Sequence, residues 1–217
     1  MRLILASTSP RRRSLLGKLL DDFAVVAPEV REDGAIGDPA EVAERLAREK
    51  AVAVAVRYPG HFVLAADTLI DLDGDLLGKP AGAEDALAML SRLAGRSHRV
   101  VTGVAVAKNF ESDRILRSGT VASEVVMRSL PQEELQAYVA TGEPLDKAGA
   151  YAIQGAGSRL VAGFSGCYYN IVGLPLCECV RLLRAAGWTQ ELDPRVCRLP
   201  GGGLCPRAER GLVERTG

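Results

Sequence analysis

The feature that most constrains this chain is a junction near its start, where a short apolar run gives way to a helix. Leu3-Ile4-Leu5 reads as a buried strand, and Leu15, Leu16, Leu19 and Leu20 recur at helical spacing. Between them Ser9 stands where an N-cap belongs and Pro10 where the first helical residue belongs. The turn gathers the hydroxyls of Ser7, Thr8 and Ser9 and the run Arg11-Arg12-Arg13 at a helix N-terminus. Open backbone N–H groups and the positive dipole end already favour an anion there. A solvated basic helix start fits the same residues, so the rest of the chain must decide.

That rest alternates strand and helix signals. Strands are predicted at residues 23–27, 62–66 (ended by Asp67), 99–107 and 119–128, with a polar connection over 108–117. Asp73-Gly74 is a hairpin turn signal, and pairing Leu72 with Asp75 brings Lys79 opposite Thr68. Asp67 and Lys79 then meet at the open end of one hairpin, although ideal pleating points them to opposite faces. That pair reads either as a structural ion pair or as a catalytic carboxylate with its cation.

Helices are predicted after the capping signature Asp38-Pro39-Ala40-Glu41, over 83–94 up to Gly95, after Ser129-Leu130-Pro131-Gln132, and over 177–186. In the first of these, Val42, Ala43, Leu46, Ala47, Ala51 and Val54 form the apolar stripe. Lys50 falls on or beside that stripe, either snorkelling to the surface or bordering a cleft. Residues 142–149 read as a loop dense in charge and glycine, and Gln154 is followed by Gly155-Ala156-Gly157. The chain divides into a domain over 1–188 and a flexible tail over 189–217 without sustained period.

Lys plus Arg equals Asp plus Glu, 27 each, which speaks against a general nucleic-acid binder. No apolar stretch is long enough to span a bilayer, and the first apolar run is too short for a secretory leader, so a cytoplasmic location is expected. Five cysteines without a C-x-x-C pair read as reduced thiols filling core space, and no zinc site is expected. With only His61 and His98, neither a histidine-rich metal site nor a serine-hydrolase triad is readily built. A Walker A sequence is absent, which excludes a P-loop NTPase.

Ser7, Arg11, Arg12, Glu32, Lys50, Asp67, Lys79 and Gln154 stand out, nearly all beside strand ends or helix starts. Such cations and carboxylates together suit attack of water on a polyphosphate. Arg and Lys neutralise charge that builds on phosphoryl oxygens. One carboxylate holds Mg²⁺ or Mn²⁺ against the phosphates, and another orients or deprotonates the water.

Ser7-x-Ser9-Pro10-Arg11-Arg12, Arg48-Glu49-Lys50-Ala51, Ala66-Asp67-Thr68, Gly78-Lys79-Pro80, Asp146-Lys147-Ala148-Gly149-Ala150-Tyr151 and Ile153-Gln154-Gly155, with Glu32 in an acidic loop, carry a resemblance. In this order and spacing they resemble the Maf family of nucleoside triphosphate pyrophosphatases. The resemblance implies an α/β fold, an elongated mixed sheet with flanking helices in two lobes around a central cleft, akin to inosine triphosphate pyrophosphatases. It implies a house-cleaning hydrolase that cleaves a nucleoside triphosphate to the monophosphate and pyrophosphate. Asp67 would accept the proton and, with Glu32, hold a divalent Mg or Mn ion. Ser7, Arg11, Lys50 and Lys79 would hold phosphates.

Arg12, Thr68 and Gln154 match the branch acting on dTTP and UTP. The Gln154 amide can donate and accept, matching the O4/N3 edge of uracil or thymine. The family also implies a homodimer, and the neutral charge and the lack of a spanning stretch lead to the expectation of no nucleic-acid or membrane partner. A different class of reading, a nucleotide-responsive regulator of cell division, makes turnover secondary. Two positions depart from the family pattern: Ala152 replaces a usual glycine, and Arg31 a common acidic residue.

Overall fold

Strand β1 (Leu3–Ala6) is wholly buried, and helix α1 (Pro10–Leu16) leaves it as the capping residues predict. The Ser9 hydroxyl accepts from the Arg12 backbone N–H, and Pro10 occupies the first helical position. The computed structural model describes residues 2–30, 37–109, 114–192, 194–199, 201–203 and 205. Glu32 and residues 206–217 of the predicted tail lie outside them. No helix among the described residues is long and apolar enough to cross a membrane.

After β1 and α1 come β2 (Phe23–Val26), α2 (Pro39–Arg57), β3 (Phe62–Leu72), β4 (Asp75–Leu77), α3 (Ala83–Leu93), β5 (Ser97–Asn109), β6 (Arg114–Met127) and α4 (Gln132–Val139). β7 (Val161–Ser165), α5 (Tyr168–Val172) and α6 (Leu176–Ala185) complete the set. The strands form one mixed sheet in the order β2-β1-β3-β5-β6-β7, with β4 attached to β3. β1 runs parallel to β2 and β3, and all other pairs are antiparallel.

Pairing along β3 creates the opening on which everything else depends. One of its edges pairs with β5 from Phe62 to Asp71. On the other, β1 covers Phe62, Val63 and Leu64, while β4 covers Ile70, Asp71 and Leu72. Among the described residues no strand pairs with the stretch between, which includes Asp67 and Thr68. The hairpin register is the predicted one, Leu72 opposite Asp75, and positive φ at Asp73 and Gly74 makes the tight turn.

Side-chain alternation along β3 sorts the core into layers. Val63 and Ala65 face the alanine-rich side of α2, joined by Ala47, Ala51, Val54 and Ala105. On the opposite face Leu64 and Ala66 pack with α1, α5 and α6, whereas Ile70 and Leu72 pack with α3 and α4. Thr68 falls between these two clusters, at the waist of a two-lobed molecule. The expected mixed α/β fold in two lobes is therefore observed.

Several local expectations need correction. β3 does not end at Asp67 but runs on to Leu72, because the buried carboxylate meets a partner, Lys50. The 108–117 connection is largely strand, since β5 and β6 form one long hairpin. Ser129 does not cap α4: Pro131 holds that position without a side-chain bond. β7, α5 and the 3-10 turns within the charged 142–149 loop had no clear sequence signal. The described residues of the segment predicted as a tail include buried ones. Leu192, Cys197 and Cys205 join the core beside Trp188, which stacks edge-on against Phe62 at 5.2 Å between ring centres. Arg184 donates to the Leu192 carbonyl at 2.8 Å and ties the segment down.

Candidate active site

A cleft of about 290 Å³ opens at the uncovered edge of β3. The β1–α1 junction contributes Ser7, Arg11 and Arg12, α2 contributes Lys50, and β3 contributes Thr68 and Ile70. Lys79, just past β4, lines the same cleft, as do Asp146, Lys147 and Tyr151. The four residues expected to hold phosphate (Ser7, Arg11, Lys50 and Lys79) are thus brought together from segments far apart in sequence.

The centre of the site is an ion pair. Lys50 Nζ donates to Asp67 Oδ1 at 2.5 Å, and the two side chains are only 5% and 9% exposed. Lys50 therefore does not snorkel outward; α2 delivers it inward. Hairpin geometry alone pointed to Lys79 as the Asp67 partner, but Lys79 is exposed on the cleft rim. The open edge resolves the pleating conflict: Asp67 faces α2 and Thr68 the opposite side, yet both border the gap between β1 and β4.

Arg12 and Thr68 are direct neighbours. The Arg12 guanidinium donates to Thr68 Oγ1 at 3.1 Å and to the Gly173 carbonyl at 2.9 Å, tying α1 to the end of α5. Thr68 in turn shares a 2.9 Å hydrogen bond with Thr102, whose hydroxyl donates to the Asn170 carbonyl. Both lobes are thereby fixed to the waist.

Gln154 lies elsewhere. It is exposed and lines an adjoining cavity of about 560 Å³ rather than the cleft, the two sharing Arg11 and Val172. Its loop is clamped by Glu143, which accepts from the Ala156 and Gly157 N–H groups and from the Tyr138 hydroxyl. Partial burial works against the Glu143 charge, but these hydrogen bonds outweigh it and hold the carboxyl below its ordinary value.

Lys147 and Asp146 are site residues that sequence reasoning did not single out. Lys147 Nζ donates to Asp146 Oδ1 at 2.5 Å and to the Glu143 carbonyl at 2.6 Å. This hydrogen bond to Lys147, and the charge of Arg11 behind it, hold the Asp146 carboxyl below the usual carboxylate range. Lys147 and Asp146 both belong to the stretch that carried the family resemblance, and Gly149, with a φ of 66° and an N–H bond to the Gly78 carbonyl, docks that loop on the hairpin.

Tyr151 is braced from behind by His98, whose Nε2 lies 2.7 Å from the phenol oxygen. Burial pushes the His98 imidazole down from 6.5 to about 4. The unfolded chain takes up this proton below pH 6.5 while the folded chain refuses it until about 4. Stability from this group is complete above pH 6.5 and falls across that window, by up to about 3 kcal/mol. A series of melting curves from pH 7 to 4 should show a shallower decline for His98→Gln than for the unaltered protein; parallel declines would count against the assignment.

Cationic side chains from β1–α1, α2, the hairpin and the 142–149 loop, gathered around a buried carboxylate, define an α/β protein built to receive a polyanion. The chain belongs to the Maf family: the profile described as Maf-like protein matches residues 2–186. It is 52% identical to the dTTP/UTP pyrophosphatase of Symbiobacterium thermophilum over 187 residues, 86% of this chain and 94% of that one. The dTTP/UTP pyrophosphatase of Myxococcus xanthus is 53% identical over 186 residues, 85% and 92% of the two chains. That of Geobacter sulfurreducens is 48% identical over 187 residues, 86% and 97%. Among solved structures, the Staphylococcus aureus Ham1 protein aligns over 58% of this chain and 72% of its own with a TM-score of 0.39 and 18% identity, too slight a likeness to carry an argument.

Proposed function

We propose that this protein hydrolyses dTTP and UTP to the nucleoside monophosphate and pyrophosphate. The observation that carries the reading is a cation-lined cleft whose Lys50 is paired with the buried Asp67 carboxylate. Support comes from membership of the Maf family and from relatives named dTTP/UTP pyrophosphatase at about half identity. Ser7, Arg11, Lys50 and Lys79 hold the phosphates, with Lys147 beside them, and their charges offset what accumulates on the phosphoryl oxygens as the α–β anhydride bond breaks. Asp67 accepts the proton of the attacking water, whose oxygen ends on phosphorus as pyrophosphate leaves.

The donors suit a hard divalent ion. Asp67 offers two carboxylate oxygens behind the cleft-lining Lys50, of which Oδ1 faces that lysine, and the family assigns Glu32 alongside it. Mg²⁺ or Mn²⁺ takes one or two carboxylates together with substrate phosphates rather than a closed protein cage, and supplies charge neutralisation when bound.

Arg12 and Thr68 shape the waist of the cleft, and Gln154 reads the base from the adjoining cavity. A panel of UTP, dTTP, CTP, ATP and 7-methyl-GTP with product identification tests the proposal. Monophosphate and pyrophosphate from UTP and dTTP are expected; diphosphate and inorganic phosphate would overturn it. In the same panel Gln154→Ala should cut the preference for UTP over CTP roughly tenfold, the worth of one well-made hydrogen bond. An unchanged ratio would remove Gln154 from base recognition.

A further inference from the structure

Away from the cleft, three of the five cysteines converge, with a fourth beside them. The Sγ atoms of Cys167, Cys197 and Cys205 all lie within 4.8 Å of one another, and these residues are 2%, 0% and 1% exposed. Cys177, on α6 and partly buried, neighbours Cys197 and Cys205 but lies outside that group of three. Cys179, also on α6, shares the same hydrophobic core but is outside the sulfur group.

We propose that Cys167, Cys177, Cys197 and Cys205 form a structural tetrathiolate zinc site. Zn²⁺ takes four sulfurs tetrahedrally at about 2.3 Å, which places them about 3.8 Å apart. The sulfurs of Cys167, Cys197 and Cys205, already within 4.8 Å, reach that spacing by drawing in about an ångström, and Cys177 turns in from α6 as the fourth ligand. Each thiol gives up its proton to the solvent as the metal binds.

The backbone around the sulfurs is prearranged. The Cys205 N–H donates to the Cys197 carbonyl at 2.9 Å, and Leu199 N–H to the Gly203 carbonyl at 2.7 Å. Gly201 and Gly202, at φ of 102° and 95°, close this loop so that two ligands stand side by side. Cys167 is pinned to β6: its N–H donates to Ser123 Oγ at 3.0 Å, and that hydroxyl donates to the Cys167 carbonyl at 3.1 Å.

The site has a structural task. Among its described residues the segment after Trp188 has one short helical element, the 3-10 turn Pro194–Val196, and few apolar side chains that anchor it. Metal coordination supplies the staple that such a small core cannot. Two of the four ligands lie beyond residue 186, where the family match stops, so the site joins the family domain to the segment that follows it. No C-x-x-C spacing announces it, because the ligands come from one loop, one helix and one hairpin-like turn. On the reading of Gln154 given above, the staple also shapes the base side: Arg198, Leu199 and Gly202 line the cavity that holds Gln154 and Arg11.

The test is metal content of the full chain purified without chelators. About one zinc per chain is expected, replaceable by Co²⁺ with the visible bands of a tetrahedral thiolate complex. Cys205→Ser should lose the metal, and Asp67→Asn should keep it, which separates this site from the cleft. Should Cys205→Ser fail to fold, the cobalt spectrum of the unaltered chain decides. Reduced protein that holds no zinc and shows no thiolate spectrum with Co²⁺ would overturn the proposal, as would a disulfide among the four in freshly isolated protein. Turnover enters none of these readouts, so their failure leaves the hydrolase reading untouched.

Discussion

Asp67→Asn should lower kcat for UTP by about a hundredfold to ten-thousandfold, the range for loss of a positioned general base. The substitution keeps the side chain's shape and one oxygen but removes the charge that faces Lys50 Nζ at 2.5 Å. Both side chains are nearly enclosed, so a second effect is expected in the fold itself. Breaking a buried pair by removing one partner typically costs about 3–5 kcal/mol, because the remaining charge stays desolvated. The two effects are separable. Lys50→Met removes the opposite partner and should destabilise to a similar degree while leaving the Asp67 carboxylate in place. Circular dichroism establishes the folded fraction of each variant, and binding of a non-hydrolysable UTP analogue establishes whether the cleft still receives phosphate. Asp67→Asn that is folded, binds the analogue and still turns over at more than a tenth of the normal rate would end the case for Asp67 as proton acceptor.

The contrast between what was legible and what was not has a physical pattern. The β1–α1 junction could be read because its determinants are local: Ser9 caps, Pro10 starts, and Leu15 and Leu16 bury. Ser7, Arg11, Lys50 and Lys79 could be selected because their chemistry and their places at element ends agree. The partner of Asp67 could not be derived from the hairpin, since register along β3 and β4 says nothing of α2, which arrives from the other side of the sheet. Lys147 went unselected because its position depends on a docking contact between Gly149 and Gly78. The burial of Leu192, Cys197 and Cys205 was hidden for a similar reason: they are too sparse to set up a period, and their burial is decided by what they meet. Residues whose role is set by long-range closure are silent in a single sequence.

The close approach of α2 to the sheet is itself such a closure, and Gly103 tests it. This residue lies on β5 directly opposite Asp67 in the register. A Cβ added there would stand 2.1 Å from the Ala43 carbonyl oxygen and 2.6 Å from the Glu44 nitrogen, both backbone atoms of α2. Backbone cannot swing aside as a long side chain can, so Gly103→Ala must push the helix off the sheet. Overpacking a well-filled core costs about 1–3 kcal/mol, and a clash with helix backbone belongs at or above the top of that range. Lys50 sits about two helical turns beyond Ala43 on the same helix, so the displacement also stretches its reach to Asp67. The expected result is a fall in thermal midpoint together with a loss of UTP turnover of more than about tenfold in the molecules that remain folded, since an ångström of misplacement is worth up to about a hundredfold. Gly163→Ala on β7, where an added Cβ meets nothing within 4 Å, is the matched control and should leave both quantities nearly unchanged. If Gly103→Ala behaved like Gly163→Ala, α2 would not be seated on the sheet as described, and the placement of Lys50 against Asp67 would lose its structural basis.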